Sequence, residues 1–150
     1  MPISSVNLKD FAAQLAVAGS DETQLRASVS RAYYSSFHAL LPFVSDLPRS
    51  AACPSNVHHI THEEMSCRIG EWKTDSIHLG LAKLTSTKGR VLRALDSSRA
   101  LRVKADYRLG GDLTLGEAQS QVERARQLLR AVDQIQLVIS PEAYTGPDAA

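Results

Sequence analysis

The sequence predicts an all-α fold, an antiparallel bundle of four long helices plus a short N-terminal helix. Apolar residues recur every three or four positions through most of the chain, as expected for helices with one buried face. Residue pairs typical of capping boxes precede three of the predicted helices. The β-branched stretch Ile135–Ile139 is the one place where a strand competes, and it has no obvious strand to pair with.

The first two helices are predicted from their caps and their apolar positions. Asn7 can cap a short helix over about Leu8–Val17, which Gly19 ends. One side of this helix carries Phe11, Leu15 and Ala18. Asp21 and Gln24 form a capping pair before a long second helix. Its apolar residues have helical spacing at Leu25, Val29, Tyr33, Phe37, Leu40 and Val44. Pro42 is expected to kink this helix or end it early, because proline lacks the amide proton.

The other three helices follow a loop over residues 45–56, which is rich in proline and serine. Thr61 and Glu64 fit the capping box of a third helix from His62 to about Lys73, and Thr74–His78 is predicted to be a break. A fourth helix is predicted over Lys88–Lys104. Its inward positions are Val91, Leu92, Leu95 and Leu101. Thr114 and Glu117 cap a last helix that runs to about Val138. The apolar stripe of this helix is Ala118, Val122, Ala125, Leu129 and Val132.

Length and composition bound the class of protein. The chain has 150 residues, 43% of them hydrophobic, so it can bury a core without disulfides or a structural metal. We expect one domain over residues 1–140 and a disordered tail over 141–150. The net charge of +1 argues against a polybasic nucleic-acid or membrane binder, and the aromatic content of 5% argues against a platform of stacked rings for single strands.

The sequence has neither a signal peptide nor an apolar stretch of the ~20 residues that cross a bilayer. We therefore expect a soluble cytoplasmic protein without membrane contact. Two cysteines, Cys53 and Cys67, do not make a disulfide framework, and the cytosol keeps thiols reduced. No phosphate-binding glycine motif, zinc-protease motif or hydrolase elbow is present, and no cofactor is expected.

Arg31 and His38 are the first candidate chemical pair. They are seven residues apart on the second helix, so they lie within about 20° of each other around its axis and about 140–160° from Tyr33. Both side chains are therefore expected to face away from the core. An arginine and a histidine at one phosphate could cleave RNA without a metal, histidine moving the proton and arginine stabilising charge. The alternative is that Arg31 and His38 have no chemical role, because polar residues on an outward helix face usually contact only water.

The second candidate is the basic end of the fourth helix. From Lys88 to Arg108 the sequence has seven basic residues and two acidic ones, although the whole chain is nearly neutral. Such a patch can attract phosphate or an acidic partner. Basic residues are also favoured at helix C-termini for structural reasons, and Asp106 can pair with an arginine to hold the helix end.

A third cluster joins Cys53, His58, His62 and Cys67, with His59 and Glu63 beside them. The inventory resembles a zinc site, but the spacing lacks the close cysteine pair of common zinc modules. Histidines of a loop and a helix cap are the alternative, and we expect no metal here.

Two phrases of the sequence together resemble the HEPN (higher eukaryotes and prokaryotes nucleotide-binding) domain family, especially its small stand-alone bacterial members. The first is Ser-Arg-Ala-Tyr-Tyr-Ser-Ser-Phe-His-Ala, residues 30–39, within the longer phrase that starts at Arg26. The second, Arg-Val-Lys-Ala-Asp-Tyr at residues 102–107, comes some seventy residues later and is followed by a long closing helix. The resemblance spans about Ser20 to Val138.

The resemblance implies an all-α bundle, a homodimer and a role on RNA in toxin–antitoxin or phage-defence systems, often beside a nucleotidyltransferase antitoxin. Active members are metal-independent endoribonucleases with an Arg-x4-6-His motif, whose two copies face each other across the dimer. In this sequence the motif occurs at Arg31 and His38, earlier than the family places it. At the later position the chain has Asp106 and Tyr107, and no histidine.

The site residues expected for an RNA-cleaving protein follow from these observations. Arg31 and Arg102 would contact phosphate, His38 would transfer the proton, and Asp106 would orient an arginine. The residues expected to bind nucleic acid or a nucleotide are Tyr34, Arg99, Lys104 and Tyr107. The alternative function is a non-catalytic binding module, an adaptor or antitoxin-like partner of another protein such as a nucleotidyltransferase.

Overall fold

A computed structural model describes residues 2–47, 51–56, 58–72 and 85–139. These residues form five α-helices and no strand, and their layout confirms the predicted bundle of four helices plus a short N-terminal helix. The helices are α1 (Ser5–Leu15), α2 (Glu22–Asp46), α3 (His62–Glu71), α4 (Thr85–Tyr107) and α5 (Leu115–Ile139). The predicted break at Thr74–His78 and the tail over residues 141–150 lie outside the described residues.

Contacts between Cα atoms divide the chain into two compact units. The first unit comprises Met1–Ala39 and Ala94–Leu129, and the second comprises Leu40–Arg93 and Arg130–Ala150. The extent of the predicted domain over residues 1–140 stays a prediction. All of the predicted site residues belong to the first unit.

Helix α1 begins one turn earlier than predicted. Ser4, not Asn7, is its N-cap: the Asn7 amide donates to Ser4 Oγ at 3.1 Å, and the Ser4 amide donates to Asn7 Oδ1 at 3.1 Å. The predicted apolar side is also wrong, because Phe11 is 47% exposed whereas Ala12 is fully buried. Gly19 has a φ of +89°, a left-handed conformation that favours glycine, and it lies in the turn between α1 and α2.

The buried residues of α1 are small because this helix packs closely against α2. The hydroxyl of Ser28 donates to the Ala12 carbonyl at 2.7 Å, and that of Ser35 donates to the Ser5 carbonyl at 2.6 Å. Both serines are fully buried. Two such short contacts leave room for alanine between the helices but not for a phenyl ring, so Phe11 faces outward.

Helix α2 has the cap and the buried stripe that its sequence predicts. The Gln24 amide donates to Asp21 Oδ1 at 2.8 Å, and the Asp21 amide donates to Gln24 Oε1 at 2.9 Å. Of the predicted apolar stripe, all members except the half-buried Phe37 are buried. The helix does not end early at Pro42 but continues to Asp46. Buried residues on both sides of the proline, such as Leu40 and Val44, explain how the helix tolerates one missing hydrogen bond.

The caps of α3 and α5 are also where they were predicted. The Glu64 amide donates to Thr61 Oγ1 at 3.2 Å at the start of α3, and the Glu117 amide donates to Thr114 Oγ1 at 3.1 Å at the start of α5. Helix α5 runs through the β-branched stretch to Ile139, so no strand forms there. Helix α4 extends the predicted range by three residues at each end.

The core of the first unit consists of small and branched apolar residues. Its ten buried members are Ala12, Ala16, Leu25, Val29, Ala32, Ala105, Leu113, Ala118, Val122 and Ala125. Six of them are alanines, so these helices can approach one another closely.

The second unit has its own buried residues and an internal ion pair. The rings of Phe43 and Trp72 meet edge to face, with their centroids 5.0 Å apart. Glu64 and Arg68 lie one turn apart on α3 and are only 2% and 4% exposed, with 3.6 Å between Oε1 and Nη1. Arg68 also donates to the carbonyl of Leu47.

The cysteines correct an expectation from the sequence. Cys53 and Cys67 form a disulfide, with their Cα atoms 5.6 Å apart. The bond holds Cys53 against the face of α3 that carries Cys67, and the local sequence does not predict this pairing. Disulfides are typical of oxidising compartments, and the cytoplasmic location stays a prediction.

Candidate functional site

Arg31, Tyr34 and His38 of α2 line one side of a surface groove in the first unit. Residues at the start of the chain, Ile3, Ser4, Ser5 and Leu8, line the other side, and the groove has a volume of about 640 Å³. We call it the Arg/His groove. Arg31 and His38 are exposed, as their spacing from the buried stripe predicts.

The buried side chain of Ser35, next to the groove-lining face of α2, joins the two sides of this groove. The hydrogen bond from Ser35 to the Ser5 carbonyl joins α2 to the first turn of α1. Because Ser35 directly follows Tyr34 in α2, this bond also fixes the distance between Tyr34 and the N-terminal segment. One wall of the groove therefore comes from α2 and the other from the start of α1. The capping box of Ser4 and Asn7 stabilises the wall at the start of α1.

Aromatic contacts limit how the His38 ring can turn. The His38 ring stacks on the ring of Tyr34, with centroids 6.2 Å apart and an angle of 28° between the planes. Phe37 meets the same imidazole edge-on at 5.7 Å. His38 is thus exposed to a ligand yet oriented by its neighbours, which is useful in a group that transfers a proton.

Arg102 of α4 lies inside a cage of aromatic and acidic side chains next to Tyr34. Its guanidinium carbon is 5.3–5.4 Å from the ring centroids of Tyr33, Tyr34 and Tyr107. Its Nη2 donates to the Tyr34 hydroxyl at 2.9 Å, and its Nε donates to Asp106 Oδ2 at 2.9 Å. We call this arrangement the Arg102 cage.

The charge of Arg102 is compensated within the protein. Partial burial lowers the pKa of Arg102, but electrostatic interactions with Tyr34, Tyr107 and Asp106 outweigh that effect, and the pKa lies above its ordinary value. Asp106 also accepts a hydrogen bond from Ser30 of α2 at 3.4 Å. Asp106 therefore orients an arginine, and that arginine is Arg102.

The structure does not gather the four predicted catalytic residues into one cleft. Arg31 and His38 line the Arg/His groove, whereas Arg102 and Asp106 do not. Tyr34 connects the two places, because its ring stacks on His38 in the groove and its hydroxyl binds Arg102 in the cage.

The residues predicted to bind nucleic acid are similarly separated. Tyr34 lines the Arg/His groove, and Tyr107 is 68% exposed at the outer side of the Arg102 cage. Lys104 points elsewhere and forms an ion pair of 2.8 Å with Glu117 of α5. Arg99 is half-buried and does not line the Arg/His groove.

Arg26 has a structural role that the sequence does not predict. Its Nη1 donates to the carbonyls of Lys104 at 3.1 Å and Ala105 at 2.9 Å, and its Nη2 donates to the carbonyl of Gly111. The Ala105 carbonyl is one of those that a helix leaves without partners at its C-terminus, whereas the Lys104 carbonyl also accepts from the Arg108 amide. The single local signal is Glu22, one turn earlier, which pairs with Arg26 at 2.6 Å.

Cys53 and Cys67 are bonded to each other, so neither sulfur can serve as a zinc ligand. Within the described ranges, no three histidine, cysteine, aspartate or glutamate side chains come close enough together to hold a metal ion. In the same ranges, no helix has the length and apolar character that a bilayer crossing requires.

Comparison with models of protein families, with curated proteins and with solved structures found no match to this chain in any of the three.

Proposed function

We propose that this protein is a HEPN-like endoribonuclease that cleaves RNA without a metal in the Arg/His groove, in a toxin–antitoxin or phage-defence setting. The observation that carries the proposal is that an exposed arginine and an exposed, oriented histidine share one groove. Among the described residues the Arg31 side chain has no hydrogen bond or ion pair, so its guanidinium donors are available to a ligand.

The chemistry is a transfer within the RNA strand. His38 removes the proton from a ribose 2′-hydroxyl, whose oxygen attacks the adjacent phosphorus. The bond from phosphorus to the 5′-oxygen of the next nucleotide breaks, which gives a 2′,3′-cyclic phosphate and a 5′-hydroxyl. The leaving oxygen takes its proton from water or from a protonated His38 of a second copy. Arg31 stabilises the extra negative charge that develops on the phosphate oxygens.

The positions of Arg31 and His38 along α2 suit a single phosphodiester. Seven residues at a rise of about 1.5 Å place their Cα atoms about 10 Å apart along the axis. Both side chains are long enough to reach a phosphate held between them. Tyr34 lies between the two and presents its ring to the groove, and Arg102 positions Tyr34 from behind.

A non-catalytic binding module is the second candidate, and the Arg102 cage favours it. Arg102 lies in the phrase where the family resemblance leads us to expect the catalytic motif, but its charge is neutralised by Asp106. A carboxylate at this place also repels phosphate. In this second proposal the groove recognises a partner, such as a nucleotidyltransferase, without turnover, and the protein acts as a homodimer in either case.

The test is digestion of total RNA by the purified protein in EDTA. We expect cleavage by the wild type, a loss of at least about 100-fold in His38→Ala and Arg31→Ala, and no cleavage of DNA of the same sequence, which lacks the 2′-hydroxyl. His58→Ala is the matched control, since His58 is exposed and lies outside the first unit.

The outcomes separate the two candidates. Intact RNA with wild type and His38→Ala alike refutes the nuclease. A stoichiometric complex with a partner protein that Arg31→Ala disrupts, without turnover, then supports the binding module. Catalytic cleavage that depends on His38 refutes the binding module.

A further inference from the structure

A second groove of the first unit lies between the C-terminal half of α4 and the first turns of α5. Its volume is about 580 Å³, within the range of sites for small molecules. Leu101 and Ala100 provide an apolar part of its wall, and the rest is polar. We call it the α4/α5 groove.

The charge of this groove is positive. Lys104, Arg108 and Arg124 line it, against a single carboxylate, Glu117. Glu117 is already satisfied, because Oε1 accepts from Lys104 at 2.8 Å and Oε2 accepts from the Thr114 amide at 2.9 Å. These two hydrogen bonds hold the pKa of Glu117 below its ordinary value, so Lys104 and Glu117 neutralise each other at neutral pH. The positive charge that remains belongs to Arg108 and Arg124.

Both of these arginines can reach a ligand. Among the described residues neither has an acidic partner; Arg124 donates once, to Gln121 at 3.2 Å, and Arg108 is exposed. The hydroxyl groups of Ser97 and Ser120 lie in the same groove and are exposed. Two planar guanidinium groups with hydroxyl donors beside them match an anion that has many oxygen atoms.

We propose that the α4/α5 groove binds the phosphate chain of a small ligand, with Arg108 and Arg124 as its main contacts. The N-terminus of α5 lies at the same groove through Thr114 and Gly116, and the positive end of its dipole adds to the attraction. Two guanidinium groups without an acidic partner among the described residues suit the few negative charges of a short polyphosphate. The α4/α5 groove shares no residue with the Arg/His groove, so this proposal can be tested independently of RNA cleavage.

Isothermal titration of the full chain with inorganic tripolyphosphate tests the proposal, and ATP serves as the second ligand. We expect saturable binding by the wild type and at least a tenfold higher Kd in the double variant Arg108→Gln with Arg124→Gln. Arg130→Gln is the control, because Arg130 is exposed and lies outside the first unit, and it should bind within twofold of the wild type.

A second variant keeps both arginines. Ser97→Glu adds a carboxylate at an exposed position of the groove and should also raise the Kd for tripolyphosphate at least tenfold, whereas Ser97→Gln should not. Equal affinity for ATP and tripolyphosphate supports recognition of the phosphate chain alone, and tighter binding of ATP supports a nucleotide at the same site. No saturable binding by the wild type, or the same loss in the Arg130→Gln control as in the double variant, overturns the proposal.

Discussion

The Arg102 cage predicts that Arg102 is needed for stability. Replacement of Arg102 by alanine removes the hydrogen bond to Tyr34 and the ion pair with Asp106, each with 2.9 Å between the bonded atoms. It also removes the contacts of the guanidinium with the three rings of Tyr33, Tyr34 and Tyr107 at 5.3–5.4 Å.

The size of the effect follows from the exposure of these groups. Arg102 and Asp106 are 20% and 27% exposed, so their i,i+4 pair contributes about 0.5 kcal/mol. The hydrogen bond to Tyr34 contributes about 1 kcal/mol, and the ring contacts contribute about 0.5 kcal/mol each. We therefore expect Arg102→Ala to lower the free energy of unfolding by about 2–3 kcal/mol. Arg102→Lys keeps the charge but cannot donate to Tyr34 and Asp106 in the same geometry, and it should lose about half as much.

Urea denaturation followed by circular dichroism at 222 nm measures this effect. For a chain of 150 residues the loss in Arg102→Ala corresponds to a decrease in Tm of about 4–12 °C. Arg31→Ala is the control, because Arg31 is exposed and should change stability by less than about 0.5 kcal/mol. If Arg102→Ala is as stable as the control, the cage does not hold α2 to α4, and Arg102 is available to bind phosphate instead.

Three further changes test other parts of the structure. Arg26→Lys removes the planar fork that binds the carbonyls at the end of α4, and urea denaturation should show a loss of about 2 kcal/mol. The lowered pKa of Glu117 means that its pair with Lys104 stabilises the fold above the ordinary value of 4.5, and that this contribution disappears as pH falls through the lower pKa of the folded state. Glu117→Gln should therefore cost about 0.5 kcal/mol at pH 7 and progressively less as the pH falls below 4.5, measured by urea titration at each pH. Cys53→Ser with Cys67→Ser removes a cross-link over a sequence separation of 14 and should cost about 3 kcal/mol in urea; dithiothreitol should destabilise the wild type but not this variant.

The sequence predicts most of the helices because their signals are local. The predicted capping pairs Asp21–Gln24 and Thr114–Glu117 are both confirmed, because each involves residues only three positions apart. The prediction of the inward side of α1 was wrong, because that side depends on packing against α2 and not on a local signal. Hydrophobicity alone favours burial of Phe11, but the distance between α1 and α2 admits only alanine, and that distance depends on the long-range bond from Ser28 to Ala12.

The candidate site was predictable only in part. That Arg31 and His38 face outward follows from the period of one helix, and both are exposed. Arg102 contacts residues up to 69 positions away, and the disulfide joins cysteines that are 14 positions apart, so neither has a local signal. Long-range partners also explain why the basic residues of α4 do not form one continuous patch. Arg102 points to α2 and Lys104 to α5, although they are two residues apart.

The two phrases that carry the resemblance to HEPN domains touch each other in the structure. Tyr34 and Ser30 of the first phrase contact Arg102 and Asp106 of the second. These contacts give the four residues a role in joining α2 to α4 that needs no RNA. Arg31 and His38 differ, because the core packing of the first unit uses neither of them and both face the groove. A test of function must therefore change Arg31 or His38, since a loss of activity in an Arg102 variant would not distinguish a damaged site from a destabilised fold.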